Sequence, residues 1–434
     1  MENFKKIVKR QTPARIIAVG FAALILSGTV LLLLPVAVQG ARLSGLDALF
    51  TATSAVCVTG LVTVDPGDTF TLFGQAVLAV LMQLGGLGIS SVSMGLAIAA
   101  GRRISFRGRS LVREALNVES FEGMVKLVRA IMAMTLLVEG IGAVASYPVF
   151  ARDYPPLRAA WISIFHAVAS FNNAGFDVLG GGHSLIPYCS NVWLNLITDA
   201  MIVLGGIGFM VVLDVLRCRG RFRKLTLHSK VVLTTTAVLI LGGALLLWLT
   251  EPISFLAALF QSITTRTAGF STIDIGAMTN AGLLVMMILM FIGASPGSTG
   301  GGIKTTTFFV LMQEVRIIFS KRRLGAFKRR LPKESLDKAA TITLLGAVVV
   351  FVGTFVLCVL EPQLSFVQLL FEQVSAYSTA GLTMGITAGL HPASKAVLIA
   401  TMFIGRVGAF TLLSLWVTRP EPSAQYTEEA ITIG

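Results

Sequence analysis

The sequence predicts an all-α integral membrane protein built from four parallel repeats around one central pore. Three observations predict it. Apolar residue types make up 54% of the chain and charged residues only 13%, long apolar stretches recur, and one pattern of span, re-entrant loop and span appears four times. A soluble chain with so few charges would expose large apolar patches to water. The composition therefore excludes a disordered chain and a soluble enzyme.

Seven apolar stretches are long enough to cross a bilayer, which needs about 20 helical residues. They lie at 16–38, 72–100, 127–147, 192–216, 231–249, 339–360 and 396–417. An eighth span is interrupted, because the apolar halves 281–292 and 308–319 are separated by GASPGSTGGGIKTTT at 293–307. Glycine and proline at this density disfavour a continuous helix. We therefore predict eight spans, one of them broken.

Four shorter segments between paired spans resemble one another. They read LFTATSAVCVTGLVT at 49–63, IFHAVASFNNAGFDV at 164–178, LFQSITTRTAGFSTI at 259–273 and LFEQVSAYSTAGLTM at 370–384. Each begins with helix-compatible residues and reaches a glycine, which is Gly60, Gly175, Gly269 or Gly381. They are too short to cross the bilayer and too apolar for solvent loops, so we predict re-entrant helices followed by loops.

A second signature follows each of these glycines by 24 to 32 residues: GGLG at 85–88, GGIG at 205–208, GGIK at 301–304 and GRVG at 405–408. Glycine is common in membrane helices because it allows close packing, but four signatures in register with four loops indicate an internal repeat. The predicted units are residues 1–101, 102–220, 221–330 with the broken inner helix, and 331–434 with a short C-terminal tail.

Basic residues indicate the orientation. Of the 35 Lys and Arg residues, 28 lie at unit boundaries, namely before residue 16, in 102–129, 217–230 and 316–338, and at Arg419. The positive-inside rule makes that face cytoplasmic. It places both termini in the cytoplasm and lets the re-entrant segments enter from outside. Membrane orientation also explains the net charge of +13 without nucleic acid as a partner.

The residues around the four glycines suit a desolvated monovalent cation. Backbone carbonyl groups there can replace the hydration shell of an ion, and each re-entrant helix directs the negative end of its dipole toward them. No ring of carboxylates accompanies the loops, which favours a weakly hydrated ion such as potassium and no other metal. The predicted filter residues are Val58, Thr59, Gly60, Asn173, Ala174, Gly175, Thr267, Ala268, Gly269, Thr379, Ala380 and Gly381.

With these features together, the sequence resembles the Trk/Ktr/HKT superfamily of potassium transporters. The resemblance covers nearly the whole chain, since all four loops and the broken inner helix are present. It implies repeats that resemble potassium-channel subunits in pseudo-fourfold arrangement, and a potassium-uptake subunit of the plasma membrane that is not an enzyme. The length favours KtrB-like members, because TrkH-like chains carry two additional N-terminal spans. Gly60 stands where sodium-selective HKT members have a serine.

The resemblance also assigns a role to the broken span, because the family places a flexible gate there, below the filter. The predicted gate residues are Gly297, Ser298, Thr299, Gly300, Gly301, Gly302, Lys304 and Arg406. A positive charge ~8 Å from a passing cation costs roughly 2 kcal/mol at an effective dielectric of about 20, so Lys304 and Arg406 can help to hold a closed state. The alternatives are snorkelling of Lys304 toward the cytoplasm and, for Arg406, a helix-packing salt bridge or pairing with backbone carbonyl groups.

The resemblance further implies a homodimer and a cytosolic nucleotide-binding regulatory subunit (KtrA/TrkA-like). It implies no covalent cofactor, potassium as the transported ion, and leaves sodium dependence open. The basic segments 102–113, 217–230 and 321–333 suit docking of such a subunit or contact with anionic lipid equally well.

Other charged residues need an explanation as well. Arg266 would repel ions if it faced the pore, so we expect it behind the filter, paired with Glu372, Asp199 or backbone carbonyl groups. The residues Asp65, Asp68, Asp177, Asp274 and Glu361 fall on the outer face, where they either attract cations or are ordinary loop charges. The four histidines, His166, His183, His228 and His391, lack metal-ligand spacing and suit structural positions.

Two competing interpretations make different predictions. An inverted-repeat transporter would have loops that enter from both faces of the membrane. A membrane-embedded enzyme would need paired polar residues within its spans. The candidates Glu139, Asp199, Asp214 and Glu314 are isolated by their spacing.

Overall fold

The computed structural model describes residues 13–40, 43–99, 110, 112, 124–320, 325–409 and 411. Nearly all of the basic segment 102–113, residues 321–324 and Arg419 lie outside these residues. The described part is mostly helical, and its helices follow the predicted order of outer span, re-entrant helix and inner span.

The elements of the first two units come first in the chain. They are α1 (Pro13–Leu32), α2 (Gly45–Cys57), α3 (Pro66–Thr69), α4 (Leu72–Leu87), α5 (Ile89–Ala99), α6 (Met124–Phe150), α7 (Pro156–Phe171), α8 (Val192–Gly206) and α9 (Phe209–Arg217). The re-entrant helices here are α2 and α7. A short 3-10 turn at Ile186–Tyr188 precedes α8.

The last two units follow the same plan. Their elements are α10 (Leu227–Thr250), α11 (Phe255–Thr264), α12 (Asn280–Phe291), α13 (Thr305–Ser320), β1 (Gly325–Ala326), β2 (Arg329–Arg330), α14 (Lys333–Leu360), α15 (Phe366–Ser378) and α16 (Pro392–Val407). The two strands form an antiparallel hairpin, and 3-10 turns occupy Phe222–Lys224, Ile275–Ala277 and Thr387–Gly389. The re-entrant helices here are α11 and α15.

Polar caps begin three of the four re-entrant helices. The hydroxyl groups of Ser44, Ser254 and Ser365 accept hydrogen bonds from backbone N–H groups in the first turn, at 3.0 to 3.3 Å. Such caps satisfy donors that a helix start leaves unpaired. The remaining helix, α7, begins with Pro156, whose missing N–H needs no partner at that position.

Four helices, α1, α6, α10 and α14, are long and apolar enough to cross a membrane alone. The pairs α4–α5 and α8–α9 meet that criterion only together, and they bend by 101° and 97°. Our prediction of a single broken span was therefore wrong. The bends occur at Gly88 and Gly208, with φ of 78° and 99°, because the last glycine of the GGxG signature adopts a backbone conformation that side chains resist.

The core surrounds the re-entrant helices. Each of these helices contributes a fully buried phenylalanine at the equivalent position, which is Phe50, Phe165, Phe260 or Phe371, and α7 adds Phe171. The outer spans instead expose large apolar side chains, such as Val144 at 76% and Phe351 at 73%. Exposed apolar side chains of this kind are suited to contact with lipid.

Candidate functional site

The same turn ends all four re-entrant helices. The residue two positions before each glycine has a left-handed backbone: Val58 (φ 56°), Asn173 (57°), Thr267 (74°) and Thr379 (53°). This conformation costs a non-glycine residue roughly 1–2 kcal/mol. Its occurrence at four equivalent positions shows that all four units share the same turn conformation.

The four turns close into a ring at their glycines. A methyl group on each glycine would lie too close to a carbonyl oxygen of the next unit. The pairs are Gly60 with Ala174 and Gly175 with Ala268 (both 2.7 Å), Gly269 with Ala380 (2.9 Å), and Gly381 with Thr59, which would overlap. Each unit thus contacts the next in the same sense, so main-chain atoms of all four meet at one axis. We call residues 59–60, 174–175, 268–269 and 380–381 the central ring.

This arrangement excludes the inverted-repeat interpretation, because all four re-entrant segments converge on one ring with the same sense of contact. The predicted filter residues are therefore brought together in space, three from each unit. They include Thr59, Thr267 and Thr379, whose buried hydroxyl groups have no hydrogen-bond partner among the described residues. Buried polar oxygen atoms normally have partners. Thr59 belongs to the central ring, whereas Thr267 and Thr379 come just before it and their hydroxyl groups face Gly300 and Gly301.

Glycines on the inner helices allow the close approach of the re-entrant helices. A methyl group on Gly85, Gly205 or Gly405 would overlap the carbonyl oxygen of Val56, Phe171 or Tyr377, respectively. Each of these glycines lies fourteen residues after the residue that caps its helix. In the third unit that position is Gly293, counted from Thr279, whereas we had aligned Gly301 with the other three. The helix register corrects that alignment.

The glycine-rich segment, residues 293–304, folds back beneath the central ring. It leaves α12 after Ile292, which forms an isolated bridge with Ile303. Methyl groups on Gly300 and Gly301 would overlap the hydroxyl groups of Thr267 and Thr379, so the segment lies directly against two turns of the ring.

Backbone hydrogen bonds fix this segment to the second unit. The N–H of Thr299 donates to Gly205 at 3.2 Å, and the N–H of Phe209 donates to Gly297 at 2.9 Å. The Thr299 hydroxyl also donates to the carbonyl of Phe171 at 3.3 Å. A segment from the third unit is thus held by the inner and re-entrant helices of the second.

Arg406 joins the segment to two further units. From α16 its guanidinium donates to the carbonyl groups of Thr299 and Gly85, and to Gly86 at 3.1 Å. Lys304 donates to Gly300 at 2.8 Å and Gly301 at 3.3 Å. Its ammonium group therefore binds its own segment instead of snorkelling.

Arg266 lies behind the third re-entrant helix, but without the predicted partners. It is 6% exposed and lines a cavity of about 10 Å³ with Ile202, Gly206 and Thr236. Its Nη1 atom and both carboxylate oxygens of Asp199 have no partner among the described residues. Glu372 is occupied by its own unit, because Thr383, Met384 and Thr387 donate to it. The predicted pairing of Arg266 with Glu372 or Asp199 was therefore wrong.

The outer acidic residues separate into two groups. Asp65 accepts from the N–H of Gly182 at 2.6 Å and Asp68 from Gly181 at 2.9 Å, which joins the first unit to the second. Asp177 lies near both, and burial together with the charges of Asp65 and Asp68 raises its pKa to about 7.

The other two outer acidic residues have local bonding roles. Glu361 is 2% exposed and accepts from the N–H of His391 at 2.6 Å, which fixes the start of α16. Asp274 accepts from the N–H of Gly276 at 2.9 Å within its own turn. Within the described part of the chain, no contact joins Glu361 or Asp274 to Asp177.

Sequence reasoning missed one shared position. The residue after the buried phenylalanine is polar in every re-entrant helix: Thr51, His166, Gln261 and Glu372. All four are buried, and His166 Nε2 lies 2.9 Å from the Thr198 hydroxyl. The signal was visible in the aligned segments, which read LFT, IFH, LFQ and LFE at this point.

Comparisons with known proteins agree with this architecture. The chain is 41% identical to the potassium/sodium uptake protein NtpJ of Enterococcus hirae, with 99% of each chain covered. It is 36% identical to the Ktr system potassium uptake protein B of Bacillus subtilis over 99% of each chain, and 38% identical to that of Vibrio alginolyticus over 97% and 94%.

The fold has a counterpart among solved structures. The crystal structure of the potassium transporter TrkH from Vibrio parahaemolyticus matches with a TM-score of 0.74, covering 94% of this chain and 86% of that one at 21% identity. A family model described as TrkH, cation transport protein, matches residues 4–251 and 222–428. The ring of four re-entrant turns thus stands in a chain that belongs to the TrkH family of cation transport proteins.

Proposed function

We propose that this chain is the ion-translocating membrane subunit of a potassium uptake system. The observation that carries the proposal is the central ring, where backbone carbonyl oxygens from four units converge. Carbonyl oxygen atoms replace water around a monovalent cation, and the re-entrant helices add the negative ends of their dipoles. The named relatives are potassium or potassium/sodium uptake proteins, so sodium is a candidate second ion.

The glycine-rich segment and Arg406 act as the gate in this proposal. The segment lies against Thr267 and Thr379 of two turns, and Arg406 ties it to the first and fourth units. An ion leaving the ring toward the cytoplasm must displace the segment, because non-helical backbone at this depth lines the pathway. This arrangement is the closed conformation.

Regulation and assembly are also part of the proposal. The names of these relatives, which belong to Ktr systems, support a system of several subunits. In this proposal the chain forms a homodimer in the plasma membrane with its termini in the cytoplasm, and it binds a cytosolic nucleotide-binding subunit. Exposed Arg217, Arg219, Arg221, Arg223 and Lys224 present a basic surface at one end of α9. Co-purification of the full chain with such a subunit tests the proposed assembly. Neutralising the charges of these five residues should abolish the co-purification.

Uptake by potassium-transport-deficient cells tests the central proposal. The wild-type chain should restore growth at low potassium. Gly60→Ser should reduce the preference for potassium over sodium, because Gly60 has φ 96° and its methyl position lies 2.7 Å from the Ala174 carbonyl. Deletion within 295–302 should raise flux. An unchanged ion preference would contradict the filter assignment, and an unchanged flux would contradict the gate.

A further inference from the structure

One buried position of the re-entrant helices differs in its partners from unit to unit. It holds Thr51, His166, Gln261 and Glu372. His166 contacts the inner helix at Thr198, whereas the Thr51 hydroxyl has no partner among the described residues. In the last two units the side chain instead reaches the chain segment that leaves the central ring.

Glu372 makes the most extensive of these contacts. Its Oε1 accepts hydrogen bonds from the Thr383 hydroxyl and from the N–H of Met384 at 3.2 Å. Its Oε2 accepts from the Thr387 hydroxyl at 3.1 Å. The side chain is fully buried, and Glu372 makes no ion pair with any described residue. The carboxyl group is therefore held by the return segment alone.

The third unit has a weaker form of the same contact. Gln261 donates through Nε2 to the hydroxyl groups of Ser271 and Thr272, at 3.1 and 3.4 Å. These residues follow Gly269 as Thr383 and Met384 follow Gly381. Glu372 accepts three such hydrogen bonds, whereas Gln261 donates two, so the return segment of the fourth unit is held by more contacts.

The fourth unit also makes the closest contact in the ring. Of the four glycines, Gly381 approaches the next unit most tightly, since its methyl position would overlap the Thr59 carbonyl. The return segment begins at the next residue, Leu382. A shift of Thr383 and Met384 would therefore move Gly381 and change the spacing of the carbonyl oxygens that face the ion.

We propose that Glu372 is a positioning residue that fixes the fourth turn of the central ring through residues 383–387 and thereby sets ion preference. This inference rests on the proposed function, because it assumes that the ring selects the ion. The carboxyl group acts through its hydrogen bonds and not through its charge on the ion. A glutamine at this position, which keeps the length and one acceptor oxygen, should therefore replace it.

The test compares Glu372→Ala and Glu372→Gln in the full chain, expressed in potassium-transport-deficient cells. The apparent KM for potassium and its competition by sodium are measured at equal protein levels in the membrane. Alanine should raise the apparent KM and lower the potassium preference by about tenfold or more, which corresponds to about 1.4 kcal/mol. Glutamine should restore both to within about threefold of wild type.

Gln368→Ala is the matched control on the same helix. Gln368 completes the capping box of α15 with Ser365, so its loss weakens the helix start without touching the return segment. It should leave the ion preference unchanged. If Glu372→Ala does not reach the membrane, Thr387→Ala removes one donor and should shift the preference in the same direction.

The outcomes separate this inference from the proposed function. A wild-type chain without potassium uptake contradicts the proposed function. Wild-type transport together with an unchanged preference in Glu372→Ala, or in Thr387→Ala if that variant is used, overturns the positioning role alone. Equal losses in Glu372→Gln and Glu372→Ala also overturn it, because they would assign the effect to the charge.

Discussion

Single side chains connect the units of this molecule at the glycine-rich segment. Arg406 starts in the fourth unit and reaches backbone carbonyl groups in the first and third. Among the described residues, Lys304 donates only to carbonyl groups of its own segment. The two cations were grouped together from the sequence, but their contacts give them different roles. Arg406 holds the segment in place, and Lys304 shapes it.

Replacing Arg406 should therefore open the pathway more than replacing Lys304. Arg406→Gln removes charged hydrogen bonds, each worth about 1.5–3 kcal/mol, so potassium flux should rise by about tenfold or more. Lys304→Gln, as the matched change, should raise it less. Potassium flux into liposomes that contain the purified chain measures both. Equal fluxes from the two variants, or no rise in Arg406→Gln, would contradict the gate assignment.

Asp177 should make uptake depend on pH. Its pKa is raised to about 7, mainly by burial and to a smaller extent by the charges of Asp65 and Asp68. The carboxyl group is therefore neutral below that pH and charged above it. A charged outer mouth attracts cations. The apparent KM for potassium should therefore rise as the pH falls from about 8 to about 6, and Asp177→Asn should abolish that change.

Asp274→Asn is the control for this titration, because Asp274 bonds within its own turn. It should retain the pH dependence of the wild-type chain. Persistence of the full pH dependence in Asp177→Asn would show that another group is responsible.

Among the elements, the inner helices carry the main difference between the units. All four have a glycine fourteen residues after the capping residue. Beyond it, the first two units bend at Gly88 and Gly208, while the third continues into the glycine-rich segment. The N–H of Phe209, directly after the second bend, donates to Gly297 of that segment. The bend of α8–α9 therefore supports the segment.

Alanine substitutions at the two bends, Gly88→Ala and Gly208→Ala, should have similar effects on stability and different effects on potassium flux. Both glycines have positive φ, where a side chain costs roughly 1–3 kcal/mol, so both variants should lower the unfolding temperature. Only the methyl group of Gly208→Ala meets the segment, 2.7 Å from the Pro296 carbonyl, since nothing lies within 4 Å of that of Gly88. Flux should change in Gly208→Ala alone. Equal flux changes in the two variants would contradict this.

At the scale of the whole molecule, much of the architecture was predictable because it repeats. Four glycine-containing segments in register indicated four turns around one axis, and the ring confirms that arrangement. The bends at Gly88 and Gly208 were not predicted, because an apolar stretch looks continuous whether its glycines are helical or have positive φ. The surroundings of Arg266 and the partners of Glu372 depend on tertiary contacts of buried polar groups, which spacing alone does not determine.

A single pathway through the whole molecule also predicts the energetics. Inward movement of one cation gains about 2.3 kcal/mol at an inside-negative potential of about 100 mV, enough for roughly fiftyfold accumulation. Liposomes that contain a gate-opened variant should accumulate potassium when that potential is imposed and release it when the potential is collapsed. Accumulation that persists without a potential would indicate another energy source.

The most direct measurement is a structure of the full chain with thallium or rubidium in place of potassium. Anomalous scattering locates such ions without reference to the protein density. The account predicts an ion on the axis of the central ring, within coordination distance of the carbonyl oxygens of Thr59, Ala174, Ala268 and Ala380. Ions bound elsewhere between the helices, with none at the ring, would contradict it.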